Sequence, residues 1–420
     1  MKILHIITRL DKGGSSENVL LTCEYFYLKR QPIKNEYEIV LIYGGNKDFS
    51  SWSKGLRIKS YYLKELQRSI HPLKDFVAFV KTFSIIKKEK PNIIHTHSSK
   101  AGIIGRWAAF IARILDLKLR NVKIIHTPHG HIFYGYYNKF ITFMFVLIEK
   151  ITALITNKII ALTEGEKNET LTYGVGSTEQ WVVIHSGVDY KIQIVSSELE
   201  NLMKELNIKE NEIITGTVAR LEPVKGVRYF IDAIIHLSYN YSNVITKNLT
   251  FLIIGDGSER KMLEKKLTRQ NFILNKVYLS DVKARIFEIT VQNKSIKVIF
   301  TGMREDVAKL ISIMDIYVQP SINEGMGKTI VLAQLLGKPV VATKVQGIPS
   351  VVLDNKTGIL VEPKNSWKLA NGIFDLIKDE EKRMMFGNNA KMWVNEIIDS
   401  FPRFSIERMV YLLEQLYHSL

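Results

Sequence analysis

Cysteine is almost missing from this chain. Cys23 is the single one among 420 residues, so no internal disulfide can form, and the expected setting is the reducing cytoplasm. Long apolar runs are missing as well. The longest, Phe140 to Ile155, is broken by Glu149 and Lys150 and falls short of the roughly 20 residues that span a bilayer. The run after Met1-Lys2 ends at Thr8 and Arg9, too soon for a signal-peptide core, and reads as a first buried strand. No low-complexity segment points to a disordered tail. Neither Gly-x-Gly-x-x-Gly nor a Gly-Lys-Ser/Thr loop occurs behind the first strand, which argues against nicotinamide chemistry and ATP hydrolysis. Acidic residues are also in short supply, 42 against 58 Lys and Arg, a formal charge of +16. A field of that sign favours phosphates, anionic lipids or nucleic acid. Clusters such as Lys87-Lys88-Glu89-Lys90 read equally well as solvated helix faces.

What is present is enough for two ordinary cores, with 46% hydrophobic and 24% charged residues. Short β-rich runs alternate with helical spacing, the pattern of βαβ units and parallel sheets. A first series runs through Lys2–Ile7, Tyr37–Tyr43, Ile93–His95, Val122–His126, Lys158–Leu162 and Trp181–His185. A second runs through Ile213–Val218, Leu249–Ile254, Lys297–Thr301, Ile316–Gln319, Pro339–Ala342 and Gly358–Val361. Strand patterning lapses in a polar stretch after Asp189, which puts the boundary near residue 195. The expected fold is therefore α/β, two Rossmann-like doubly wound domains at 1–195 and 196–385. Residues 386–420 are read as two C-terminal helices, broken at Pro402 and packing back towards the first domain.

Three loops carry chemistry. Arg9 to Glu17 holds Gly13 and Gly14 between a strand and a helix, where backbone N–H groups approach an anion, although a plain tight turn fits too. Arg220 and Lys225 lie on the loop of Gly216-Thr217-Val218-Ala219-Arg220-Leu221-Glu222-Pro223-Val224-Lys225-Gly226, and fixed cations there suit a departing diphosphate. Pro320 to Thr329 follows a strand and opens a helix. Glu324 can accept from sugar hydroxyls, and Gly325, Met326, Gly327, Lys328 and Thr329 bring the backbone and helix start to phosphate.

With these, Ile253-Ile254-Gly255-Asp256-Gly257, Phe300-Thr301-Gly302, Gly337 to Thr343 and Asn355 to Val361 make the stretch Thr217–Pro363 resemble the donor domain of family 4 glycosyltransferases. His95-Thr96-His97-Ser98-Ser99-Lys100-Ala101-Gly102 and His126-Thr127-Pro128-His129-Gly130-His131 resemble segments of the same family. The resemblance implies the GT-B fold, with an acceptor-side first domain and a nucleotide-sugar donor domain facing a cleft. It implies a retaining hexosyltransferase in surface polysaccharide synthesis. A hexose or N-acetylhexosamine would pass from a nucleotide diphosphate sugar to a glycan or polyprenyl-diphosphate-linked acceptor. In catalytic roles it places His129 near donor sugar and acceptor, Arg220 and Lys225 on the diphosphate and Glu324 on the sugar. Gly13 and Gly14 become the phosphate-facing loop. No cofactor or metal is expected; the histidines lack the cysteines and the matching helical pair of a zinc site.

Two positions depart from the family. Leu332 stands where a second glutamate usually binds ribose, a part left to Gln334 or the backbone, and Ser186 replaces an asparagine before Gly187-Val188-Asp189. The aromatic stretch Ile132 to Phe140, followed by apolar residues to Leu147, suits an anionic inner-leaflet surface or a buried helix. The expected place is the cytoplasm, peripheral to the membrane. A sugar-nucleotide epimerase or phosphorylase of the same fold is the rival reading; nucleic-acid binding lacks any recognisable reading module.

Overall fold

The computed structural model describes residues 1–11, 13–28, 37–45, 58–130, 133, 138–241, 244–275 and 284–420. Contacts divide the chain into two compact units, one of Met1–Gly187 with Ser405–Leu420 and the other of Val188–Phe404. The division falls at Gly187, against an expected position near 195.

Among the described residues the first unit holds parallel strands β1 (Lys2–Leu10), β2 (Glu38–Gly45), β3 (Lys59–Tyr62), β4 (Ile93–His97), β5 (Lys123–Thr127), β6 (Lys158–Ala161) and β7 (Trp181–Val183). Their order is β3-β2-β1-β4-β5-β6-β7. The helices are α1 (Gly14–Leu28), α2 (Pro72–Glu89), α3 (Ser99–Leu115), α4 (Lys139–Ala153) and α5 (Glu164–Thr172). Both sheet faces are covered, so the strands read as continuous apolar runs. Ile3, Ile7, Ile39, Leu41, Ile93 and Ile125 face one core with Cys23 and Phe26 of α1. Leu4, Ile6, Val40, Ile42, Ile94 and Ile124 face the other with α2 and α3. The period-two alternation thus sorts successive residues onto opposite layers. The short edge strand β3, Lys-Ser-Tyr-Tyr, lacks an apolar run and escaped the sequence reading.

The second unit carries β8 (Ile213–Val218), β9 (Leu249–Ile254), β10 (Ile273–Asn275), β11 (Arg285–Val291), β12 (Lys294–Gly302), β13 (Ile316–Gln319), β14 (Val340–Thr343) and β15 (Gly358–Val361). The order is β10-β11-β12-β9-β8-β13-β14-β15. All six strands expected here are present. Strand β11 pairs antiparallel with β12, and β10 pairs antiparallel with β11 at the edge. Gln292 and Asn293 turn the β11–β12 hairpin with φ of 49° and 61°, the left-handed pair a two-residue turn demands. The helices are α6 (Ser196–Glu205), α7 (Val227–Asn240), α8 (Arg260–Arg269), α9 (Val307–Ser312), α10 (Lys328–Leu335), α11 (Ser366–Lys378) and α12 (Glu380–Asn395). Their apolar stripes close the core of Phe230, Phe251, Phe300, Leu369 and Phe386.

Helix α12 stays with the second unit, and after the paired Ile397–Ile398 and Phe401–Pro402 the chain enters α13 (Ile406–His418), which belongs to the first. Ser405 caps α13 by accepting from the Arg408 N–H. Met409, Val410, Leu413, Leu416 and Tyr417 pack with Ile3, Ile7 and Phe26. Each such burial contributes roughly 1.5–3 kcal/mol.

Candidate active site

In the second unit, β9 lies on one side of β8 and β13 on the other, so the winding direction reverses between β8 and β13. Such switch points leave a crevice at the carboxyl ends of the strands, where ligands of open α/β sheets bind. The two loops singled out in the sequence stand there. Lys225 Nζ lies 2.8 Å from Glu324 Oε2, with both side chains largely shielded. The same oxygen accepts from Gln319 Nε2 and Ser321 Oγ, each at 3.1 Å. Tyr317 Oη is bonded to Gln319 Oε1 at 2.9 Å and to Thr329 Oγ1 at 2.8 Å, which extends the network to the start of α10.

Backbone stitching holds the loops. Ile322 N donates to Val224 O at 2.8 Å. Gly226 has φ of 65°, and a Cβ there would meet Pro320 O at 2.0 Å, so only glycine lets the two loops touch. Leu221 N donates to Asp256 O at 2.9 Å, and Gly255, with φ of 127°, lets the β9 loop reach Ala219 O. Arg220 is half-buried on the loop that carries Lys225. Gly327, with φ of 85°, caps α10, and no side chain caps it there. Gly325 and Met326 are buried beside it, and Lys328 and Thr329 form the first turn of α10. The arrangement offers a cation, a carboxylate and a helix N-terminus to one small volume, a combination suited to sugar and phosphate together. Leu332 lies on α10, but Gln334 does not take the ribose part: it is fully buried and donates to Thr357 Oγ1 at 3.1 Å.

The first unit has its own switch point, between β1 and β4. Gly13 and Gly14 lie just past β1, where Ser16 Oγ closes the turn onto Asp11 Oδ1 at 3.1 Å. A Cβ on Gly13 would make only an ordinary 3.4 Å contact, so close packing does not dictate that glycine. Lys12, His131, Ile132 and Tyr134–Tyr137 lie outside the described residues. Beside this turn stands a histidine cluster that the sequence showed only in part. The register pairs His5 with His95 and Ile7 with His97, so the period of two brings three imidazoles onto one face. His5 Nδ1 lies 3.0 Å from His97 Nε2, and His97 Nδ1 lies 3.0 Å from His129 Nε2. His95 is held by Tyr417 Oη at 2.7 Å and Thr127 Oγ1 at 2.8 Å. Burial lowers His5 to about 3, and it is the main cause that pushes His95, His97 and His126 well below the ordinary histidine value.

His5, His95 and His97 each offer a ring nitrogen within 4.8 Å of the others, a spacing a metal ion could bridge. Five of their six ring nitrogens are bonded to another imidazole or a hydroxyl, His5 Nε2 being the exception, and the group includes no carboxylate to offset a divalent charge. His129 has φ of 57°, a strained value for a histidine. Glu166, fully buried, fixes that turn: its carboxylate accepts from Gly130 N and Leu162 N, both at 2.7 Å. The sequence reading missed Glu166 and His5; the signal for His5 was a polar residue inside an otherwise apolar strand, and Glu166 lay in a polar stretch that gave none. Ser186 is not idle, since it accepts from Asn18 Nδ2 at 2.9 Å.

Comparison with known proteins agrees with this layout. The family model of glycosyl transferases group 1 matches residues 199–393, and that of glycosyltransferase family 4 matches residues 30–191. The chain is 26% identical over 363 residues to the UDP-Gal:alpha-D-GlcNAc-diphosphoundecaprenol alpha-1,3-galactosyltransferase of Escherichia coli, covering 86% of this chain and 84% of that one. It is 26% identical over 379 residues to the capsular polysaccharide biosynthesis glycosyltransferase CapM of Staphylococcus aureus, covering 87% and 88%. The crystal structure of Anabaena HepE in complex with UDP and glucose superposes with a TM-score of 0.77 at 22% identity, each chain covered in full. The two units, their sheet orders and the matched sequence models together place this chain in glycosyltransferase family 4, with the GT-B fold.

Proposed function

We propose that this glycosyltransferase moves a hexosyl or N-acetylhexosaminyl group from a uridine diphosphate sugar to a glycan or polyprenyl-diphosphate-linked acceptor in surface polysaccharide synthesis. On this reading the anomeric configuration is retained, and neither metal nor cofactor takes part. The observation that carries it is the Lys225–Glu324 pair, 2.8 Å apart at the switch point of the second unit. The name of the E. coli relative supports the donor and acceptor classes, and that of the S. aureus relative supports polysaccharide synthesis.

In the reaction, the bond from the anomeric carbon to the β-phosphate oxygen breaks while the acceptor oxygen bonds to the same face of that carbon. The acceptor proton passes to the departing diphosphate. Lys225 and Arg220 stabilise the charge that develops on the leaving group, the task a divalent ion performs elsewhere. The first turn of α10, Lys328 and Thr329 after Gly325-Met326-Gly327, receives phosphate, and Glu324 holds sugar hydroxyls. The first unit supplies His129 and the Gly13-Gly14 turn.

A peripheral site on the cytoplasmic membrane face belongs to the same reading. Helices α2, α3 and α4 neighbour one another in that order. Leu73 and Phe76 of α2 and Phe140, Phe143 and Leu147 of α4 are exposed, with Lys74, Lys139 and Lys150 on the same helices. Apolar side chains flanked by lysines suit an anionic bilayer. The test of the chemistry is a turnover assay in chelator with NMR of the anomeric product. We expect full activity without metal, an unchanged anomer, and a loss of about 10²–10³ in kcat for Lys225→Ala. Dependence on added metal or an inverted product would sink the mechanism.

A further inference from the structure

Three imidazoles form an unbroken line in the first unit. It runs from His5, through His97, to His129, with 3.0 Å between bonded nitrogens at each step. His5 and His97 are 0% and 1% exposed, out of reach of bulk water. The far nitrogen, His5 Nε2, is buried and has no partner among the described residues. A neutral imidazole carries one hydrogen, and each ring can place it on either nitrogen. Were it on His5 Nε2, a buried N–H would be orphaned, the costlier kind of unsatisfied group. Placed on Nδ1, the hydrogen is used: His5 Nδ1–H donates to His97 Nε2.

The direction then propagates. His97, accepting at Nε2, must carry its hydrogen on Nδ1 and donates it to His129 Nε2. His129 is left with Nε2 occupied as an acceptor and its hydrogen on Nδ1. From this line of contacts we infer that His5 and His97 are positioning residues that fix His129 in the Nδ1–H form, as a hydrogen-bond donor to a substrate oxygen and not as a general base. Burial supports the neutral state of His5 and His97 that the argument needs. A proton arriving at His129 Nε2 would meet the His97 N–H and force the whole line to reverse, ending in the orphaned His5 N–H. The inference rests on the assignment of His129 to the reaction only for its functional consequence; the tautomer stands on geometry within one unit.

The experiment uses the full chain labelled with ¹⁵N-histidine. Long-range ¹H–¹⁵N spectra report which ring nitrogen is protonated in each histidine. We expect His129 in the Nδ1–H pattern in the unsubstituted protein. His5→Phe keeps a ring of similar size but removes the bond, and it should convert His97 and His129 to mixed tautomers. His5→Asn, which places an amide nitrogen near the former Nδ1, should restore a single pattern. In turnover, His5→Phe should lower kcat about tenfold with little change in the donor KM, the mark of an interaction made in the transition state. An Nε2–H pattern for His129 in the unsubstituted protein overturns the inference, and that spectrum decides the matter even if His5→Phe fails to fold. An unmoved His129 pattern in a folded His5→Phe overturns it as well. One equivalent of bound zinc would also overturn it, because a metal would take the nitrogens that the line requires. If instead His129→Ala leaves turnover intact while the spectra behave as expected, the catalytic role of His129 fails and the tautomer lock stands.

Discussion

Gly226 shows how much a single position can carry. Its φ of 65° and the 2.0 Å approach of Pro320 O to the place of a Cβ leave no room for any other residue. Gly226→Ala must move one loop, and with it the Lys225–Glu324 pair. We expect a cost of about 1–3 kcal/mol in stability from strain, with a larger fall in kcat/KM than that cost explains. A thermal melt and steady-state kinetics both within error of the unsubstituted enzyme would show that the stitching does not position the pair. The glycine itself was legible, because it closed a recognisable loop. Its partner was not: Pro320 stands far along the chain, and only the parallel adjacency of β8 and β13 brings them together. Glu324 was legible for the same reason as Gly226, whereas Glu166 lay in a polar stretch that offered no motif.

At the level of elements, α4 sets the clearest test. Asn138 caps it by accepting from the Ile141 N–H, and Val146, Glu149, Thr152 and Ala153 face inward. Arg106, 0% exposed, meets Glu149 at 2.7 Å beneath it, which fixes the rotation of the helix about its axis. The opposite face leaves Phe140 73% and Phe143 62% exposed. Because these rings contribute little to the core, Phe140→Glu with Phe143→Glu should leave folding unchanged. It should weaken sedimentation with anionic vesicles by at least about tenfold, since each buried ring is worth roughly 1.5–3 kcal/mol. Equal binding by the double variant would exclude α4 as the docking element. The apolar composition of this helix was plain in the sequence, but which side turns outward depended on the Arg106–Glu149 pairing. Strands β10 and β11 make the complementary point, since their mixed residues fit no parallel pattern and became strands by pairing, β11 with β12 and β10 with β11.

At the level of the whole molecule, acid should act through the first unit. In an unfolded chain its buried histidines titrate near 6.5; in the fold His5 sits at about 3 and His95, His97 and His126 well below their ordinary value. The unfolded state therefore binds protons that the folded state refuses. Stability from these groups is complete above about pH 6.5 and is lost progressively as pH falls from there towards about 3. The protection factors of the β1 and β4 amides, corrected for the intrinsic slowing of exchange in acid, should fall as pH drops from about 7 to 5, with His5→Phe blunting the change. Protection that is flat over this range would refute the linkage.

The alternation of apolar runs and helical spacing determined, by itself, that the chain forms parallel α/β sheets, because periods of two and 3.6 residues are local properties. The glycine loop at Gly226 and the carboxylate before a helix likewise marked residues that meet at the switch point of the second unit. Tertiary structure alone decided the rest. It drew α13 across to the first unit, closed Lys225 on Glu324, and set His5, a lone polar residue in an apolar strand, in line with His97 and His129. Such contacts join residues distant in sequence, and strand order, which fixes them, is a property of the assembled sheet and not of any one segment.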